Sequence, residues 1–176
     1  MKTLALDEGS RTSAALSQVL LYECHGVRPH IVPLAMEDDY EASPADAVLI
    51  IGDRAMQVDA SRYTETWDLG EKWRSYTGLP FVFALWVANV EQGSELSDED
   101  FRLLAINLEA TRDEGLAAAG SIAAREAPSY GLTQSDCERY FTEQLHFHLG
   151  SDELAGLELF QTLTTQLGLI PERAIR

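Results

Sequence analysis

The run Ala47-Val-Leu-Ile-Ile51, closed by Gly52-Asp53, constrains the fold more than any other stretch of the chain. Consecutive apolar residues bounded by a turn signal read as a short strand with no polar face. A strand apolar on both sides belongs inside a parallel sheet covered by helices. The segments before it supply the rest of an α/β pattern. Thr3 to Leu6 opens as a strand. Ser13 to Glu23 is amphipathic, with Leu16, Val19 and Leu20 at helical spacing, and Gly26 ends it as a C-cap. Val27 to Leu34, punctuated by Pro29 and Pro33, reads as an edge strand. Glu37 to Ser43 is a polar loop. The order up to Asp53 is therefore β-α-β-β, with a short helix around Arg54 to Val58.

Beyond this point the texture shifts toward helix. Leu69 to Tyr76 reads as a short helix or turn, and Pro80 to Val87 is the strongest strand by aromatic and β-branched content. After Ser94 only helical signals remain. Ser97 is an N-cap with Asp98, Glu99 and Asp100 in the first turn, where the helix dipole favours acids. Phe101, Leu104, Ala105 and Leu108 make its apolar stripe, and Ala117 to Arg125 continues in helix formers around Gly120. Ser135 caps a second helix, with Tyr140, Phe141 and Leu145 inward, and Gly150 stops it. Ser151 caps a third, with Leu154, Leu157, Phe160, Leu163 and Leu167 inward. The organisation is an α/β front, about residues 1–90, and an all-helical rear, about 91–176. The strand count is short for a doubly wound sheet.

Charge narrows the function. The 176 residues carry 29 acidic and 13 basic side chains, a net charge of −16. That field disfavours nucleic acid and anionic membranes as partners. No window approaches the roughly 20 apolar residues of a membrane span, and Met1 to Gly9 has no signal-peptide pattern. The reading is a cytoplasmic protein. Cys24 and Cys137 fit no disulfide or metal spacing and read as reduced thiols.

Against that acidic background, Ala5-Leu-Asp-Glu-Gly-Ser-Arg-Thr-Ser-Ala14 stands out. Ser10, Arg11, Thr12 and Ser13 lie where a strand hands over to a helix, with orphan N–H groups and the positive dipole end beside them. Three hydroxyls and a guanidinium there form a local cradle for a carboxylate or phosphate. Equally, Thr12 or Ser13 serves as a plain N-cap with Arg11 in solvent. No Walker lysine or paired glycines are present. Asp53, at the carboxyl end of the apolar strand, either orients a substrate hydroxyl or caps the segment after it. On a helix, His146 and His148 would point about 200° apart by the roughly 3.6-residue period, so they share no metal ion. Glu95 to Asp100 is a solvated helix start, not a calcium loop. No nucleophile elbow, catalytic-cysteine context or dinucleotide fingerprint occurs. No cofactor and no metal is expected.

Four stretches resemble, in order and spacing, the chorismate dehydratase family of the futalosine route to menaquinone: ALDEGSRTSAALSQVLL, ADAVLIIGDRAM, WDLGEKW followed by TGLPFVFALWVA, and YFTEQLHFHLGSDELAGLELFQTL. The resemblance implies a type II periplasmic-binding-protein-like α/β fold, here an incomplete two-lobe form with a helical C-terminal part. Residues 1–80 would be the α/β lobe with the anion-binding strand-loop-helix. Residues 81–176 would be the return strand and the C-terminal helices of the other lobe. It also implies a further N-terminal segment, with the first lobe's opening strands and an asparagine linked to catalysis, which this chain lacks. The implied substrate is a dicarboxylate, chorismate, held by Ser10, Arg11, Thr12, Ser13 and Asp53 and dehydrated to 3-[(1-carboxyvinyl)oxy]benzoate. The substrate's own carboxylate would serve as base. Two alternatives stand beside this reading. One is a non-catalytic small-carboxylate-binding protein. The other is a 1,4-dihydroxy-6-naphthoate synthase of the sister family, which usually has a different loop where this chain has SRTS. The chain alone is expected to expose apolar surface where further strands would pair, and to self-associate. Light scattering checks this, and a monodisperse monomer contradicts it.

Overall fold

The computed structural model describes residues 1–56, 58–88 and 97–170. Two compact units are present: residues 1–85 with 149–176, and residues 86–148.

In the first unit, β1 (Thr3–Asp7), α1 (Arg11–His25) and β2 (His30–Leu34) form a βαβ unit, and β3 (Ala47–Leu49) joins on the other side. The sheet order is β2-β1-β3, with both pairings parallel. Ala5 is flanked by Val32 and Val48, and Leu6 by Pro33 and Leu49. Pro33, which lacks an N–H, is tolerated because β2 is an edge. The central strand is therefore β1, not the apolar run at Ala47. Only Ala47–Leu49 of that run is strand, and it lies at the edge of the described sheet. The start of β1 is tied to the start of β3 by Asp46, whose Oδ2 accepts the Lys2 N–H at 2.6 Å and the Thr3 N–H at 2.9 Å. These bonds, Lys2 first, hold the Asp46 carboxyl below its ordinary range.

Helix α1 is longer than expected and sits between two layers. Gly26 ends it in the left-handed region at φ 65°, as its position predicts. Leu21 packs with Leu4, Leu6 and Leu49 of the sheet. Leu16, Val19 and Leu20, all 0% exposed, pack with Trp73 of α3 (Leu69–Thr77) and Leu163 of α7 (Ser151–Gln166). Burying three such side chains contributes about 1.5–3 kcal/mol each.

Residues 80–88 carry no strand. Phe81 packs into the core instead of joining a ladder, whereas Phe83, Leu85, Trp86 and Val87 are exposed. Phe81 sits edge-on to Trp73, Phe83 and Phe160, with centroid separations of 5.4, 4.7 and 4.8 Å. The Pro80 carbonyl accepts the Trp73 Nε1–H at 3.3 Å. Helix α7 lies against this turn so closely that a Cβ on Gly156 would come 2.2 Å from the Pro80 oxygen. Of the expected inward residues of α7, Leu163 is buried and Phe160 and Leu167 pack on the same core. Leu154 is exposed. Gly150, not Ser151, precedes the helix, with its N–H held by Glu153 at 2.9 Å.

The second unit contains α4 (Asp98–Ala117), α5 (Ala119–Glu126) and α6 (Gln134–Arg139). Ser97 and Asp100 form the N-terminal capping box of α4. Glu95 of the acidic run and Gln57 of the expected 54–58 helix lie outside the described residues. The core here is small: Ala123, Ala127 and Cys137, with Leu132 and Phe141 against them. The apolar stripe expected on α4 is not buried, and Leu103, Leu104 and Ile106 are exposed. Thr133, not Ser135, caps α6. That helix widens into a π turn over Tyr140–Gln144 instead of running on to Gly150. His146 and His148 therefore lie outside any helix, and the opposed directions expected of them on one do not arise. Their rings lie 5.7 Å apart.

Substituting Gly156→Ala is expected to cost about 1–3 kcal/mol, because the Pro80 carbonyl must move. Gly115→Ala on α4, where a Cβ meets nothing within 4 Å, is expected to stabilise by about 0.5–1 kcal/mol. Urea denaturation of both variants checks the pair.

Candidate functional site

The junction between β1 and α1 is built around a buried acid. Asp7 ends the central strand and is 2% exposed. Its Oδ1 accepts the Gly9 N–H at 2.8 Å, and its Oδ2 pairs with the Arg54 guanidinium. Arg54 belongs to α2 (Asp53–Met56), which follows β3, and also donates to the Asp38 carbonyl at 3.2 Å. Glycine suits position 9 because a Cβ there would meet Asp7 Oδ1 and Ile51 Cδ1, each at 3.1 Å.

Ser10, with extended backbone, is the N-cap of α1. Its Oγ accepts the Ser13 N–H at 3.1 Å and donates to Ser13 Oγ at 3.0 Å. The cap is thus neither Thr12 nor Ser13: the chain turns helical immediately after Ser10, so both fall inside the first turn. Among the described residues, the backbone N–H groups of Ser10, Arg11 and Thr12 find no acceptor within the chain. No carboxylate among them pairs with Arg11, which is exposed. Orphan donors, the dipole end and an unpaired guanidinium occur together here.

An open depression of about 310 Å³ lies beside this junction. Leu6, Asp7, Glu8, Ser10, Arg11 and Ala14 line it from β1 and α1, and Ile31, Val32 and Pro33 from β2. That volume is at the small end of ligand pockets. Of the residues singled out from sequence, Ser10 and Arg11 line the depression. Thr12 is half-buried on the first turn of α1, and Ser13 is buried with its hydroxyl committed to Ser10. Asp53 is exposed at the first position of α2, makes no side-chain hydrogen bond among the described residues and is not in the lining. The structure adds Asp7 and Arg54. A carboxylate closing an apolar strand demands a buried partner, and Gly52-Asp53-Arg54 held the available cation. Among the described residues, no group of three or more His, Cys, Asp or Glu could hold a metal ion. No helix there is long and apolar enough to cross a membrane.

Comparison with known proteins agrees with the stretches that carry the resemblance. A family model described as menaquinone biosynthesis matches residues 1–166. The chain belongs to the menaquinone biosynthesis family. The chorismate dehydratase of Thermus thermophilus is 31% identical to it over 174 residues. The match takes in 89% of this chain and 60% of that protein. The chain therefore spans about 60% of the length of the curated relative.

The capping geometry sets an expectation for this member of the family. Ser10→Ala should lower stability by about 1 kcal/mol, while Thr12→Ala should stay within about 0.5 kcal/mol. Chemical denaturation of the two variants separates them.

Proposed function

We propose that the chain is a chorismate dehydratase, or the part of one that holds the substrate's carboxylate. The observation that carries this reading is the 31% identity to the Thermus thermophilus enzyme of that name, extending over 89% of the chain. The site supports it on chemical grounds. Chorismate bears two carboxylates, and the β1–α1 junction offers an unpaired guanidinium and free N–H groups that suit one of them. Arg11 and the backbone of Ser10 to Thr12 would grip that carboxylate. Ser13 would hold Ser10 in place, and Asp53, beyond the lining on the next strand's carboxyl side, would orient a substrate hydroxyl. The fold of the complete enzyme is proposed to be of the type II periplasmic-binding-protein kind, with residues 1–80 in one lobe and 81–176 contributing to the other. A cytoplasmic setting is proposed with it, as suits a biosynthetic enzyme.

In the reaction, the ring C3–H and C4–O bonds break. The electron pair of the C–H bond becomes part of the new ring π system. Hydroxide leaves and departs with a proton as water, giving 3-[(1-carboxyvinyl)oxy]benzoate. Aromatisation drives this elimination, so the protein's work is to bind and orient. The C3 proton passes first to a carboxylate of the substrate and then to the departing hydroxide.

Incubation with chorismate followed by mass spectrometry tests the reading. Appearance of the product with loss of one water supports it. Absence of both product and calorimetric binding overturns it, and binding without turnover favours a binding protein. Arg11→Ala should weaken chorismate binding by about 1.5–3 kcal/mol with unchanged thermal stability, because the side chain is exposed.

A further inference from the structure

We infer that Arg54 is a positioning residue for the carboxylate cradle and acts through Asp7; this rests on reading the β1–α1 junction as the site for an organic acid. The Asp7 side chain is only 1% exposed, yet it belongs to the lining of the depression that also carries Arg11. A carboxylate in that position repels an incoming carboxylate unless its own charge is cancelled. Arg54 cancels it. Arg54 itself is absent from the lining. It follows β3, on one flank of the central strand, whereas the depression is bounded by β2 on the other. The guanidinium therefore reaches the carboxylate without reaching the ligand.

The charged groups that line the depression, taken with Arg54 behind Asp7, are two acids and two guanidiniums. Glu8 adds a second negative charge to the lining, and Arg11 is its positive group. Asp38 gives Arg54 its carbonyl, while its own carboxylate takes the Ala35 N–H at 3.1 Å. Asp53, adjacent to Arg54 in the chain, is exposed. With Arg54 present, two guanidiniums balance Asp7 and Glu8. Without it, Arg11 alone faces both. In a chain of net charge −16, the surrounding field does not make up the difference. Shape follows charge. The Oδ1 that takes the Gly9 N–H belongs to the same carboxylate that Arg54 fixes, so the turn into α1 inherits its position from that ion pair. An unpaired Asp7 would swing toward water and release Gly9.

The experiment uses the full chain and four variants: Arg54→Met, Arg54→Lys, Asp7→Asn and the double Asp7→Asn/Arg54→Met. Chorismate affinity by calorimetry, amide hydrogen exchange at Gly9 and thermal unfolding are measured on each. Arg54→Met is expected to weaken chorismate binding at least roughly tenfold and to speed exchange at Gly9. Adding Asp7→Asn, which keeps the acceptor for Gly9 and removes the charge, is expected to return affinity to within about threefold of the parent and to restore protection. Arg54→Lys is expected to keep most of both. If Arg54→Met does not fold, Asp7→Asn alone decides: it should bind at least as tightly as the parent, and a loss of roughly tenfold or more overturns the inference. A double variant of parental stability that binds as weakly as Arg54→Met overturns it, as does an Arg54→Met variant that binds and exchanges like the parent. If the parent takes no chorismate, the site reading fails, and Gly9 exchange alone decides the role of Arg54.

Discussion

A carboxylate buried at the end of the central strand sets the terms for everything around it. Leaving Asp7 charged and unpaired in that position would cost several kcal/mol, so the fold must deliver a cation to it. Arg54 is delivered by the turn after β3, and the same guanidinium picks up the Asp38 carbonyl from the segment after β2. The remaining carboxylate oxygen shapes the turn into α1. One acid thereby gathers the connections that follow all three strands. This is the edge of a parallel sheet where ligands are bound in open α/β folds.

Much of this is legible in the sequence. Parallel strands, a helix after the first strand, the Gly26 stop and the Ser97 start all follow from local rules of periodicity and capping. The departures share a cause. Ala47–Ile51 and Pro80–Val87 read as strands because they are apolar, yet apolar character alone fixes neither pairing nor burial: Leu85, Trp86 and Val87 stay exposed. Whether such a segment pairs in a ladder or packs as aromatic rings depends on neighbours far away in sequence. Phe81 meets Phe160, and the Pro80 carbonyl meets Trp73. The α4 stripe departs in the opposite sense: a helical pattern shows which face is apolar, not what covers it.

At the site, the hydroxyl-rich turn is visible in the sequence, but the roles within it are not. A string of Ser and Thr residues offers several possible caps, and one residue of register decides which hydroxyl is consumed. Here Ser10 takes the cap and occupies Ser13. Asp53 attracts attention as an acid at the carboxyl end of a strand. The neighbouring Arg54 is the one engaged, because the buried charge it answers lies 47 positions earlier in the chain, beyond the reach of any local pattern.

The return of α7 to the first unit has a consequence for how the polypeptide reaches its native state. Leu16, Val19 and Leu20 leave the ribosome well before Leu163, which helps to close over them and emerges only after residues 86–148. Until then the outer face of α1 is a greasy strip covered by Trp73 with Trp67, Leu69 and Phe81 but open where Leu159, Phe160 and Leu163 will lie, and a nascent chain in that condition is a natural client for chaperones.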